Sequence, residues 1–218
     1  MNIIHYQKIK DSIPANVRLV VVSKKRSEQD IMTLYAAGQR AFGENHALEI
    51  RAKHEALPKD IEWHFIGHLQ TNKVKYIIPF VSLVHSIDSF KLLQEIDRQA
   101  KQHGRVVPCL LQFHIASETS KYGFSREECM DILASQAFAA LQHARVRGVM
   151  GMASFTRDTL QISREFKQLY CIFQDLKKGY FKYAPDFTDI SMGMSEDYPI
   201  AIQEGATLIR VGTAIFKE

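Results

Sequence analysis

Short β-rich apolar runs alternate with helically spaced segments along the whole chain, and this alternation restricts the fold more than any single motif. The runs fall at residues 17–22, 40–42, 62–66, 83–87, 107–115, 146–150, 188–192 and 208–211. Helical spacing covers 28–37, 47–57, 89–102, 126–133, 157–177 and 197–204, and 69–78 reads as a helix that ends before Pro79. A further helix, over 3–13, is expected before the first strand, carrying Ile3, Ile4, Ile9 and Ile13. Eight strands, each followed by a helix or the chain end, predict a parallel sheet with crossover helices. The even spacing, and the lack of G-x-G-x-x-G after the first strand, favour a closed barrel over an open doubly wound sheet. The expected fold is therefore α/β, a single (β/α)8 TIM barrel spanning 1–218 as one domain.

Composition narrows the class of protein. With 46% hydrophobic and 24% charged residues, the chain has the balance of a globular domain rather than a disordered or fibrous one. No apolar run approaches the roughly 20 residues that cross a bilayer, and the start MNIIHYQKIKDSI is too polar for a secretory signal. Cys109, Cys129 and Cys171 are odd in number and far apart, so neither a disulfide framework nor a metal knuckle is expected, and a cytoplasmic location is. The net charge of +4 is spread along the chain, which argues against nucleic acid as a partner. With no extra domain and no outstanding apolar helix face, a monomer is expected.

In such a barrel the chemistry sits beyond the C-terminal ends of the strands. There the sequence places Ser23-Lys24-Lys25-Arg26, Gly43-Glu44-Asn45, a segment from Gly67 to Lys73, His85-Ser86, His114, Ser191-Met192-Gly193-Met194-Ser195 and Arg210-Val211-Gly212-Thr213. Lys24 stands one residue beyond an apolar run, so partial desolvation beside Lys25 and Arg26 would favour a neutral, nucleophilic amine. Taken alone, however, the three cations read more readily as a solvated basic turn. The glycines and small hydroxyls after the last two strands suit a phosphate, the habitual ligand of those loops. Ser195, followed by Glu196 and Asp197, also reads as a helix N-cap. Arg210 points toward the mouth and can only donate hydrogen bonds, so a ring nitrogen facing it would stay unprotonated. His64, His68, His85 and His114 lack metal-ligand spacing and read as core or rim residues.

Several of these segments resemble signatures of the pyridoxal phosphate homeostasis family (YggS/PROSC-like). They are Val22-Ser23-Lys24, Phe42-Gly43-Glu44-Asn45, the run from Trp63 to Gln70, the run from Ser191 to Ser195, and the run from Val211 to Phe216. The resemblance implies an alanine-racemase-like barrel without the second, β-rich domain. It implies pyridoxal 5′-phosphate (PLP) held as a covalent aldimine on Lys24, with Asn45 beside the ring and Arg210 facing the pyridine nitrogen. Ser191, Gly212, Thr213 and the backbone at Met192 would hold the phosphate. The implied role is vitamin B6 homeostasis without catalytic turnover, with PLP-dependent apoenzymes as partners.

An arginine at the pyridine nitrogen leaves the ring a poorer electron sink than a pyridinium would be. A racemase would also need a second base opposite the lysine, and nothing in the sequence places Tyr122 or Tyr183 there. A small PLP-dependent racemase or lyase is the alternative reading. A cofactor-free sugar-phosphate enzyme, with Glu44 as base, ranks last. The chain departs from the family pattern at Lys25-Arg26-Ser27, where Thr-Lys-Pro is common, and at Ser154, where proline is common. Lys73 and Lys121 are candidate secondary lysines, each read more readily as a solvated loop residue.

Overall fold

The structure, a computed structural model, describes residues 3–118 and 122–216. Eight parallel strands form a closed barrel in sequential order. They are β1 Arg18–Val22, β2 Ala41–Glu44, β3 Glu62–Phe65, β4 Leu83–Ile87, β5 Val107–Phe113, β6 Ala144–Gly151, β7 Asp189–Ser191 and β8 Leu208–Val211. The helices are α1 Ile3–Ser12, α2 Glu28–Ala36, α3 Ala47–Ala56, α4 Phe90–Gln102, α5 Arg126–Leu133, α6 Gln136–Ala139, α7 Thr159–Lys178, α8 Tyr198–Gln203 and α9 Thr213–Phe216. The link between β3 and β4 is a 3-10 helix, Thr71–Tyr76, rather than the expected α-helix.

Local chemistry starts the helices where the spacing placed them. Ser27 and Asp30 form a capping box on α2, Ser125 and Glu128 form one on α5, and Asp158 caps α7 through Leu160 and Gln161. Ser195 is not a helix cap: Asp197 occupies that position before α8, without a side-chain cap bond. In α4, Leu92, Leu93, Ile96 and Ala100 recur at helical spacing and are buried.

Two apolar layers result. The larger packs the helices against the outside of the sheet. The smaller consists of Val20, Ala41, Leu83, Leu110, Met150 and Leu208, one from each of six strands, and fills the barrel interior. Because side chains alternate along a strand, the positions two residues further on are Val22, Gly43, His85, Gln112, Met152 and Arg210. The interior is thus apolar at one level and mixed at the next, nearer the mouth, where His85, Gln112 and Arg210 enter. Glu44, one residue past Gly43, faces the helices instead.

Closure depends on a tight approach between β6 and β7. Gly148 is paired with Asp189, and a Cβ on Gly148 would lie 1.8 Å from the Asp189 carbonyl oxygen. Gly148→Ala should therefore lower unfolding stability by about 1–3 kcal/mol or more, as overpacking against backbone does. Urea denaturation would check it, and a loss within experimental error would contradict the assigned register.

Candidate functional site

The pairing of β1 with β8, which runs to Val21 opposite Val211, brings the two ends of the chain's motif set together at the mouth. Lys24 follows β1 in a turn and is exposed. The partial desolvation expected for it is therefore absent from this structure. Lys25 beside it takes a left-handed backbone, φ 58°, and Arg26 lies over the Phe216 ring at 4.7 Å.

Below the mouth, four buried side chains form one hydrogen-bonded chain across the barrel. Arg210 donates from Nη1 to Ser191 Oγ at 2.6 Å and from Nη2 to the Gly151 carbonyl at 3.1 Å. Ser191 Oγ lies 2.8 Å from His85 Nδ1, and His85 Nε2 lies 2.9 Å from His64 Nδ1. Arginine only donates, so Ser191 Oγ accepts from Arg210; the Ser191–His85 and His85–His64 contacts join neutral groups whose donor and acceptor roles follow the imidazole tautomers. Burial lowers the Arg210 pKa to about 10, which leaves the guanidinium charged at neutral pH. Burial, with Arg18 and Arg147 adding repulsion, lowers His64 to about 3. His85 is pushed well below the ordinary histidine value by burial and then by His64 and Arg210. Both imidazoles are neutral, and among the described residues Arg210 has no carboxylate in an ion pair with it.

Two residues that the resemblance assigns to phosphate are otherwise engaged. Ser191 is fully buried within this chain, and the Met192 N–H donates to the Leu208 carbonyl at 3.1 Å. Ser195, read from sequence as a cap, is where the hydroxyl is found. Its Oγ accepts from the backbone N–H groups of Gly212 and Ala214, each at 3.3 Å. Thr213 lies between those amides and is exposed. Position alone could not separate Ser191 from Ser195; the strand parity that turns Ser191 inward was the available signal.

Asn45 follows β2 at the mouth. Its Oδ1 is buried and unpartnered among the described residues. A cavity of about 290 Å³ opens beside it, lined by His46, His68, Gln70 and Lys73 among others. His68 is bonded to Asp88 at 2.9 Å and stacked on Tyr122, with ring centres 4.3 Å apart. Tyr183 is exposed. Lys121 lies outside the described residues. Glu44 does not line the mouth: it accepts from Ser23 and Lys53 at 2.6 and 2.8 Å on the helix side of the sheet. Ser154 donates its backbone N–H to Glu165 at 2.6 Å, a bond that a proline there could not make. No group of three or more His, Cys, Asp or Glu among the described residues could hold a metal.

Comparison with known proteins agrees with this arrangement. The family model described as alanine racemase, N-terminal domain, matches residues 4–218. A pyridoxal phosphate homeostasis protein of Aquifex aeolicus is 35% identical over 92% of this chain and 86% of its own length. The chain belongs to the pyridoxal phosphate homeostasis protein family. Another member, from Helicobacter pylori, is 36% identical over 93% of this chain and 88% of its own. The structure of PipY from Synechococcus elongatus superposes with a TM-score of 0.91 without PLP. With PLP bound the score is 0.87; both comparisons give 33% identity and cover 98% of each chain.

The neutral histidine pair gives a pH dependence with a definite sign. The folded-state pKa of His64, about 3, lies below the ordinary 6.5, so between those values the unfolded chain binds the extra proton. Stability present above pH 6.5 is then lost as pH falls toward 3, by up to about 1.4 kcal/mol per pH unit for each histidine. Denaturation curves between pH 7 and 5 should show this slope, and His64→Gln should reduce it. An unchanged slope in the variant would contradict a neutral buried His64.

Proposed function

We propose that this chain binds PLP at the barrel mouth and serves intracellular PLP homeostasis as a carrier without catalytic turnover. The observation that carries the reading is one juxtaposition. Barrel closure pairs β1, which leads into the exposed Lys24, with β8, which carries the buried Arg210, free of a carboxylate ion pair among the described residues, and leads into two amides converging on one hydroxyl. The names of the curated relatives and the PLP-bound PipY structure support it.

The residues fit the group. Asn45 Oδ1 is buried without a donor among the described residues, and a Cβ at Gly212 would press to 3.0 Å on both Cβ and the carbonyl of Val22, so a side chain there would have to push Val22 aside. When bound, PLP supplies an aldehyde that bonds reversibly to amines. Lys24 provides the amine for that bond. The Ser195 and Thr213 hydroxyls hold the phosphate, the Gly212 and Ala214 amides orienting Ser195 through their bonds to its Oγ, while Ser191 fixes Arg210. Asn45 lies beside the ring. Arg210 donates to the pyridine nitrogen and keeps it unprotonated, which withholds the electron sink that racemases and lyases exploit. In this reading residues 1–218 act as one domain, monomeric and cytoplasmic, passing PLP to apoenzymes.

Equilibrium titration with PLP and with pyridoxal, which lacks the phosphate, tests the assignment. Ser195→Ala should weaken PLP binding by about 10-fold, as loss of a hydrogen bond to a charged group does, and leave pyridoxal binding unchanged. Arg210→Ala should weaken both ligands without creating amino-acid racemisation. Equal loss for both ligands in Ser195→Ala would remove the phosphate from that cradle. Racemisation by the unaltered protein faster than by free PLP would overturn the carrier reading.

A further inference from the structure

Behind the turn that carries Lys24, on the helix side of the sheet, lies a buried ionic cluster that the proposed PLP site does not use. Lys53 of α3 is 6% exposed, unusual for a residue that almost always reaches water. Its ammonium donates to the Ser23 carbonyl at 2.8 Å, to Glu44 Oε1 at 2.8 Å and to Glu49 Oε1 at 2.7 Å. The two carboxylates reach the same turn. Ser23 Oγ donates to Glu44 at 2.6 Å, and the Lys25 backbone N–H donates to Glu49 at 2.6 Å.

The residues on both sides of Lys24 are thus tied to one ammonium, directly or through one carboxylate. Two further backbone bonds, Ser23 N–H to Gly43 and Arg26 N–H to Ser23, complete the fastening. Lys25 is held in a left-handed conformation that a non-glycine residue avoids without such support. Burying an ion pair gains little stability over apolar packing, and neighbouring Ala47 and Ile50 show that this face of α3 accepts apolar side chains.

We propose that Lys53, acting with Glu44 and Glu49, is a positioning residue that holds the Lys24 turn ready for covalent bonding to the ligand. The proposal rests on the PLP reading above, since Lys24 has no other assigned partner. Lys53 touches no ligand. It fixes the path of the backbone from which the reactive amine projects, so that less motion must be frozen when the bond forms.

Two measurements on the full chain separate this proposal from its parent. Amide hydrogen exchange at Lys25, read by NMR without PLP, should quicken by about 10-fold or more in Lys53→Met and Glu49→Gln, because the clamp is open. On mixing with PLP, the limiting rate of bond formation should fall by about 10-fold, while half-saturation of the preceding non-covalent step stays within about 2-fold. General destabilisation would move both binding parameters together. Glu49→Gln retains the Lys53–Glu44 pair and lies near the surface, so it carries the test if Lys53→Met does not fold. Wild-type exchange in both variants, or a wild-type bonding rate with the clamp open, overturns the proposal. Absence of any bond to Lys24 in the unaltered protein overturns the PLP reading instead, and the exchange data still decide whether the clamp exists.

Discussion

Everything at the mouth depends on the hydrogen bonds between β1 and β8, which close the sheet on itself. Arg18 to Val21 run beside Leu208 to Val211, so residues nearly two hundred positions apart become neighbours. An open sheet would leave Lys24 at one edge and Gly212 at the other. Closure also removes the exposed edges that a parallel sheet would present. The β6–β7 pairing adds its own constraint, because a Cβ on Gly148 would lie 1.8 Å from the Asp189 carbonyl oxygen.

Within the closed barrel the polar level has an unusual economy. A charged arginine is buried, yet its immediate partners are neutral: a hydroxyl, a carbonyl and, through the hydroxyl, two imidazoles. A carboxylate partner would have satisfied Arg210 and quenched its field. Asp197 favours the charged guanidinium only against the larger opposing effect of burial, and the repulsion Arg210 exerts on His85 helps to hold that imidazole unprotonated. The outward side of the same strands is managed differently, since Lys53 compensates Glu44 there and ties both to the turn after β1. Burial still raises the Glu44 pKa despite that lysine, so desolvation outweighs pairing at this carboxyl.

Much of this was legible in the chain because strand runs in a parallel barrel are buried on both faces and stand out as apolar blocks. The runs at 83–87 and 208–211 coincide with β4 and β8, and 126–133 coincides with α5. The 3-10 helix before Pro79 and the short α6 and α9 were harder to read, being too brief for periodicity to declare itself. Lys24, Asn45, Gly212 and Thr213 lie at the strand ends that the sequence assigned them, whereas Arg210 is buried below the mouth. Ser191 and Ser195 were interchangeable on spacing alone; only the inward parity of β7 and the bonds to Gly212 and Ala214 distinguish them. Lys53 carries no sequence signal of its role, because a lysine on a helix ordinarily signals solvent, and its burial follows from Glu44 and Glu49 converging in three dimensions.

The central claim is that Lys24 carries the bond to PLP. Borohydride reduction of the PLP-loaded protein, followed by peptide mass mapping, tests it most directly. The account predicts a visible absorption band that bleaches on reduction and a single pyridoxyl group on Lys24. A label on Lys25 or Lys73, or no label with the band unchanged, would contradict it.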